Sequence, residues 1–164
     1  MGRGGFEPPT GGYEFRQSAF GLAAARDTGR AMSPEENVDL VRRLHERLNG
    51  ANIEGVVELC EPGFRLDMSE RVFNPATYEG HDGIRRFYAD VRAVWQRYRW
   101  DLEELLEAPP HVVALVHAQG RGRGSGLEVD RRVAMVWTLH RGRATALRLY
   151  VDSARALEAA GLRG

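Results

Sequence analysis

Behind Met32 the apolar residues fall into a helical rhythm. Val38, Val41, Leu44 and Leu48 share one helix face, and the stripe ends at Asn49-Gly50. Ser33-Pro34-Glu35-Glu36 stands just ahead of it. Serine as N-cap, proline in the first turn and acids near the helix N-terminus all mark a start there. A short helix over about 52–60 follows and stops at Pro62-Gly63. Phe64, Leu66 and Met68 then alternate with Arg65, Asp67 and Ser69, the pattern of a half-buried strand. Residues 71–80 read as a loop. Ile84, Phe87, Tyr88, Val91, Val94, Trp95 and Tyr98 give the clearest helical face in the chain. Beyond it, 100–108, 111–119, 128–140 and 144–151 read as four strands in a meander. The run GRGRGSG and the pair Arg141-Gly142 serve as turns. SARALEAAGL, from Ser153, is a terminal helix stopped by Gly161. The predicted class is α+β: one cone-shaped, curved antiparallel sheet with helices on its concave side.

Composition narrows the picture further. At 164 residues the chain holds one domain. With 43% hydrophobic and 28% charged residues it has a globular profile. Formal net charge is zero, so no global field gathers nucleic acid or anionic membrane, and neither is expected as a partner. All 23 basic residues are arginine, a bias that points to a GC-rich, bacterial genome. The single cysteine, Cys60, forms no internal disulfide, which suits the cytoplasm. No apolar run approaches the roughly 20 residues of a membrane helix. The one candidate signal peptide, SAFGLAAA, is short and is preceded by Glu7 and Glu14 where positive charge belongs.

Residues 1–31 follow neither hydrophobic period and are expected to be a disordered tail. Arg3-Gly4-Gly5-Phe6 fits one RNA-binding arginine-glycine box, which is weak support for a nucleic-acid arm at balanced charge. Gly-Phe-Glu-Pro-Pro is also what GGG-TTC-GAA-CCC-CC encodes, a self-complementary stem like the T arm of a transfer-RNA gene. On that reading, which the capped helix start favours, residues 1–31 are a spurious extension and the domain covers 32–164.

The segments YEGHDGIRRFY, 78–88, and VAMVWTLHRGRATALRLYVDSARALEAAGL, 133–162, resemble SnoaL-like proteins of the nuclear transport factor 2-like superfamily. The likeness covers nearly all of 33–162. It implies a cone-shaped sheet around an apolar pocket, in a homodimer. The superfamily spans ketosteroid isomerases, polyketide cyclases, epoxide hydrolases, dehydratases and non-catalytic binding modules, so the likeness alone does not select a chemistry. Laid on this chain, the aspartate-arginine-aspartate relay of the epoxide hydrolases falls on Leu149, His117 and Gln119. None of its members is kept.

That overlay turns Leu147 and Leu149 inward. A two-residue turn at Arg141-Gly142 pairs positions summing to 283, so Arg132, Ala134, Val136 and Thr138 join them on the inward face. Val133, Met135, Trp137 and Tyr150 then lie outward, as an apolar patch suited to a homodimer interface. Symmetric closure of GRGRGSG sets His117 opposite Arg132 and Gln119 opposite Asp130, again inward.

His117 and Asp130 are therefore the candidate catalytic pair for proton transfer, and Arg132 and Gln119 the candidate polar ligand contacts. The competing reading is that these four groups merely satisfy one another. Tyr88, Trp95, Leu147, Leu149 and Tyr78 complete the candidate ligand-binding set, with plain core packing as the alternative for the aromatics. Asp67 is read as a surface residue, His45 as a partly buried one, and His81 or Asp82 as a cap of the following helix. The five histidines and Cys60 show no metal-ligand spacing, and GRGRGSG is a hairpin turn with no Walker lysine, so neither a metal nor a cofactor is expected. The expected function is binding of a small, largely apolar organic molecule. If the protein is an enzyme, the reaction is cofactor-free proton transfer of the isomerase, cyclase or dehydratase type. The alternative is a non-enzymatic dimeric binding or interaction module.

Overall fold

The computed structural model describes residues 32–71 and 73–162; the expectations for residues 1–31 lie outside the described residues. Helix α1 spans Pro34–Asn49. Ser33 and Glu36 close a reciprocal capping box at its start, at 3.1 and 2.8 Å. Helix α2 is Ile53–Glu58, with the Asn52 side chain accepting from Gly55 N. Strand β1, Cys60–Met68, leads to β2, Ala76–Glu79, and helix α3, Gly80–Val94. The meander follows as β3 Trp95–Ala108, β4 His111–Gly122, β5 Glu128–His140 and β6 Arg143–Tyr150, and helix α4, Ser153–Ala159, ends the fold. The six strands form one sheet in the order β2-β1-β6-β5-β4-β3. Only the β1–β6 pair is parallel.

Three element boundaries differ from the sequence reading. Pro62 and Gly63 do not end a helix; they sit inside β1, where the ladder to β6 is interrupted between Cys60 and Arg65. A proline, lacking an N–H, is tolerated at such an interruption. The expected loop holds β2, too short for a two-residue period to show and burying only Tyr78. The helical stripe through Trp95 and Tyr98 breaks at Val94, because Trp95 is already extended. A bulge between Trp95 and Arg97 then keeps Trp95, Tyr98 and Trp100 on the same side of the sheet. The expected cap at His81 is likewise absent; its Nε2 donates instead to Cys60 O at 2.9 Å.

The sheet is curved and unclosed. Its concave side carries the main core, with α1 and α3 packed on Phe64, Leu66, Met68, Trp100, Val112, Ala114, Val116, Met135, Trp137 and Leu149. α4 corrects the expectation that all helices share this side. Its Ala156 and Leu157 cover Leu106, Val113, Ala134, Val136 and Tyr150 on the convex face.

The largest correction comes from one residue in the last hairpin. His140 pairs with Arg143 and Leu139 with Ala144, as the turn dictates, but Thr138 then pairs with Ala146 rather than Thr145. The extra residue, Thr145, shifts every later pair by one, giving Trp137↔Leu147 and Met135↔Leu149. A one-residue shift reverses which side chains share a face. Leu147 and Leu149 stay inward as expected, but their inward companions on β5 are Val133, Met135 and Trp137. Ala134, Val136 and Arg132 turn outward. The apolar patch expected at Val133, Met135 and Trp137 is thus interior. Tyr150 is outward yet only 8% exposed, under α4 and the Arg148 and Arg155 guanidinium groups.

Candidate functional site

A cavity of about 390 Å³ opens on the concave side of the sheet, under α3 and toward the ends of the long strands. Phe87 and Val91 come from α3, Trp95, Tyr98 and Trp100 from β3, and Ala118 from β4. Val129, Arg131 and Val133 come from β5, Leu149 from β6, and Met68, Arg71 and Phe73 from β1 and the segment after it. The three β3 aromatics stack edge-on or tilted in a chain, with Trp95–Tyr98 at 5.2 Å and Tyr98–Trp100 at 4.7 Å between centroids. Phe73 extends that chain over Trp95 at 5.8 Å. Gly120, opposite Tyr98, makes this possible: a Cβ there would come within 2.5 Å of the Tyr98 ring.

The floor is anchored by α1. β3 is an edge strand, so its outer backbone groups have no strand to bond. Asn49 fills that role for Trp100, accepting its N–H at 2.8 Å and donating to its carbonyl at 3.0 Å. His45 Nδ1 donates to the same carbonyl at 3.2 Å, while Trp137 Nε1 donates to His45 Nε2 at 3.1 Å. His45 is fully buried rather than partly so, and burial pushes its pKa down to about 4. It is a neutral structural histidine.

The polar groups of the cavity are the Arg71 and Arg131 guanidinium groups and the Tyr98 phenol, with the Glu128 and Asp130 carboxylates at its rim. Arg71 donates from Nε and Nη2 to Asn74 O, and from Nη2 to the Tyr78 hydroxyl at 3.2 Å. Tyr78 in turn donates to Asp90 at 2.7 Å. Its ring packs on Phe87, and the Arg71 guanidinium lies 5.5 Å over that same Phe87 ring. Arg131 stands on β5 opposite Ala118, which puts it on the concave face. Among the described residues, neither Arg71 nor Arg131 forms an ion pair, and the Tyr98 hydroxyl makes no hydrogen bond. Burial pushes the Tyr98 phenol up, against the pull of the Arg71 and Arg131 charges. Tyr98 therefore stays a protonated hydrogen-bond donor at neutral pH.

Few of the sequence candidates meet here. Trp95 and Leu149 line the cavity, and Asp130 reaches its rim. Tyr78 stands behind it, holding Arg71, and Leu147 is core against Trp137 without reaching the opening. Tyr88 is half-buried beneath Arg92 and does not line it. The expected pairings His117↔Arg132 and Gln119↔Asp130 are present, but on the convex face, since their neighbour Ala118 is the inward residue. There His117 Nε2 meets Asp130 at 2.6 Å, and Arg132 meets Glu103 at 3.0 Å, as part of an exposed ion-pair ladder. Hairpin closure had set the register correctly. The inward sense rests on extending the β6 parity across the Thr145 bulge to β5 and on the relay overlay at His117 and Gln119, and both fail, since Ala118 is the inward residue. Arg71 and Arg131 were missed for related reasons: one fell in an assumed loop, the other on the face that the bulge reverses. Asp67 is outward as expected, 3.7 Å from Arg148.

A curved six-stranded sheet with two helices in its concavity defines the nuclear transport factor 2-like class. The SnoaL-like domain profile matches residues 41–147, and the chain belongs to that family. Solved structures agree. A putative SnoaL-like polyketide cyclase from a Jannaschia species is 23% identical, covering 79% of this chain and 94% of its own, with a TM-score of 0.62. TerC, co-crystallised with polyporic acid, is 21% identical over 77% of this chain and 98% of its own, with a TM-score of 0.63. A ketosteroid isomerase-like protein from Catenulispora acidiphila, in complex with trimethylamine, is 18% identical over 75% and 92%, with a TM-score of 0.61. No curated protein matches the chain. Among the described residues no helix is long and apolar enough to cross a membrane.

Proposed function

We propose that this protein captures a small, largely apolar organic molecule in the concave cavity and acts as a binding module rather than a proton-transfer enzyme. The carrying observation is the lining: five aromatic rings and a set of aliphatic side chains around about 390 Å³, a volume suited to a ligand of two or three fused rings. Binding is favoured over catalysis because the carboxylates at the cavity rim, Glu128 and Asp130, are engaged by Arg121 and His117. Proton abstraction needs a base within reach of the substrate. Two neighbours in the fold were crystallised with small organic molecules, which is compatible with this reading. A cytoplasmic homodimer remains part of the proposal, on the family resemblance alone; the hairpin face first assigned to the interface is interior.

Native mass spectrometry of protein purified from its own host tests the reading. The wild type should carry an organic molecule that Val129→Trp, which narrows the cavity mouth, has lost. Turnover of the captured molecule would overturn the non-catalytic assignment. A wild type that carries nothing, and that no hydrophobic probe stabilises, would overturn the cavity as a binding site.

A further inference from the structure

Resting on that reading, we propose that the ligand is an aromatic acid, and that Arg131, Arg71 and the Tyr98 hydroxyl receive its anionic group. The three groups come from three separate parts of the fold, β5, the segment after β1, and β3, yet all line one cavity. Arg131 is the clearest indicator. It lines the cavity and has no carboxylate partner among the described residues, whereas Arg99, Arg121 and Arg132, which are each paired to an acid at 2.7–3.0 Å, lie outside the cavity.

The chemistry follows from the arrangement. The rim carboxylates Glu128 and Asp130 are paired with Arg121 and His117, so the charges left without a partner in the lining, Arg71 and Arg131, favour an anion over a cation, and the field is stronger where water is displaced. Arg71 already spends Nε and Nη2 on Asn74 and Tyr78, so the rest of its guanidinium is held in a fixed orientation. Tyr98 adds a neutral donor of raised pKa, which complements a carboxylate, enolate or phenolate oxygen. Phe73, Trp95, Tyr98 and Trp100 supply flat faces for a ring system attached to that group.

A matched pair of fluorescent probes separates the acid from the ring. Anilinonaphthalene sulfonate carries a negative charge, and phenylnaphthylamine is the same ring skeleton without it. At low salt the wild type should bind the sulfonate about tenfold or more tightly than the neutral probe, with the gap closing as salt rises. Arg131→Gln should cost the sulfonate about tenfold, the low end of a charge-assisted hydrogen bond, and leave the neutral probe within about twofold. Tyr98→Phe should act in the same direction and more weakly. Val129→Trp should remove both probes, and a sulfonate signal that survives it would be binding elsewhere and would overturn the proposal. Equal affinity for both probes, with Arg131→Gln changing neither, would sink the aromatic-acid assignment and leave the cavity reading standing. Binding of neither probe would overturn both.

Discussion

The indole Nε1 of Trp137 donates to Nε2 of His45 across 3.1 Å, joining β5 to α1 in the interior. The bond requires His45 to be neutral, with its proton on Nδ1 facing the Trp100 carbonyl. A second proton would set two N–H groups against each other in a fully buried site.

Acid should therefore loosen the fold in a defined window. The folded-state pKa of His45, about 4, lies below its ordinary 6.5, so the unfolded chain binds a proton that the folded chain refuses. The contribution is fully present above pH 6.5 and is lost as pH falls toward 4, about 2–3 kcal/mol at pH 4.5. Urea unfolding of wild type and His45→Gln at pH 7.5 and 4.5 checks this. The variant should be less stable at the higher pH and should lose less on acidification. Parallel losses would show that His45 does not titrate as stated.

Asn49→Ala should cost about 2 kcal/mol. It strips partners from both backbone groups of Trp100 on an edge strand. Asn49→Asp keeps the acceptor and loses the donor, so it should fall between. Equilibrium unfolding ranks the three proteins, and an Asn49→Ala equal to wild type would show the amide clamp to be energetically idle.

His117→Ala should be nearly silent. The side chain lies on the convex face in an exposed pair with Asp130, and such pairs contribute about 1 kcal/mol or less. Probe affinity in the cavity should stay within about twofold. A tenfold loss would return His117 to the site and contradict the register described for β5.

Deleting Thr145 should be tolerated. Without it Ala144 and Ala146 become consecutive, and the pairs Leu139↔Ala144, Thr138↔Ala146 and Trp137↔Leu147 run on as one regular ladder. Leu147 and Leu149 keep their inward faces, so a cooperative unfolding transition is expected to persist. Thr145→Ala forfeits only its hydroxyl bond to Thr138 O and should cost about 1 kcal/mol. Calorimetry checks both, and a deletion without a cooperative transition would refute the bulge, because in an unbulged strand it would turn Leu147 and Leu149 outward.

The helix start at Ser33, the strand alternation of Phe64, Leu66 and Met68, the His117↔Arg132 register and the SnoaL-like resemblance were all legible in the sequence. Each rests on contacts within a few residues, or on a turn whose geometry its own residues dictate. The site was not legible at the same level. Its concave face depends on four irregularities, after Trp95, after Leu102, after Cys60 and at Thr145, each an extra residue or interruption that leaves composition and periodicity almost unchanged. Where a strand bulges depends on what the sheet must bury against α1 and α3. Local pattern carries the elements and their order, with β2 the exception. Which side of β5 meets the ligand, and hence Arg131 rather than Arg132 at the cavity, was decided only by tertiary packing, because a side-chain period of two turns a single inserted residue into a reversal of the whole strand.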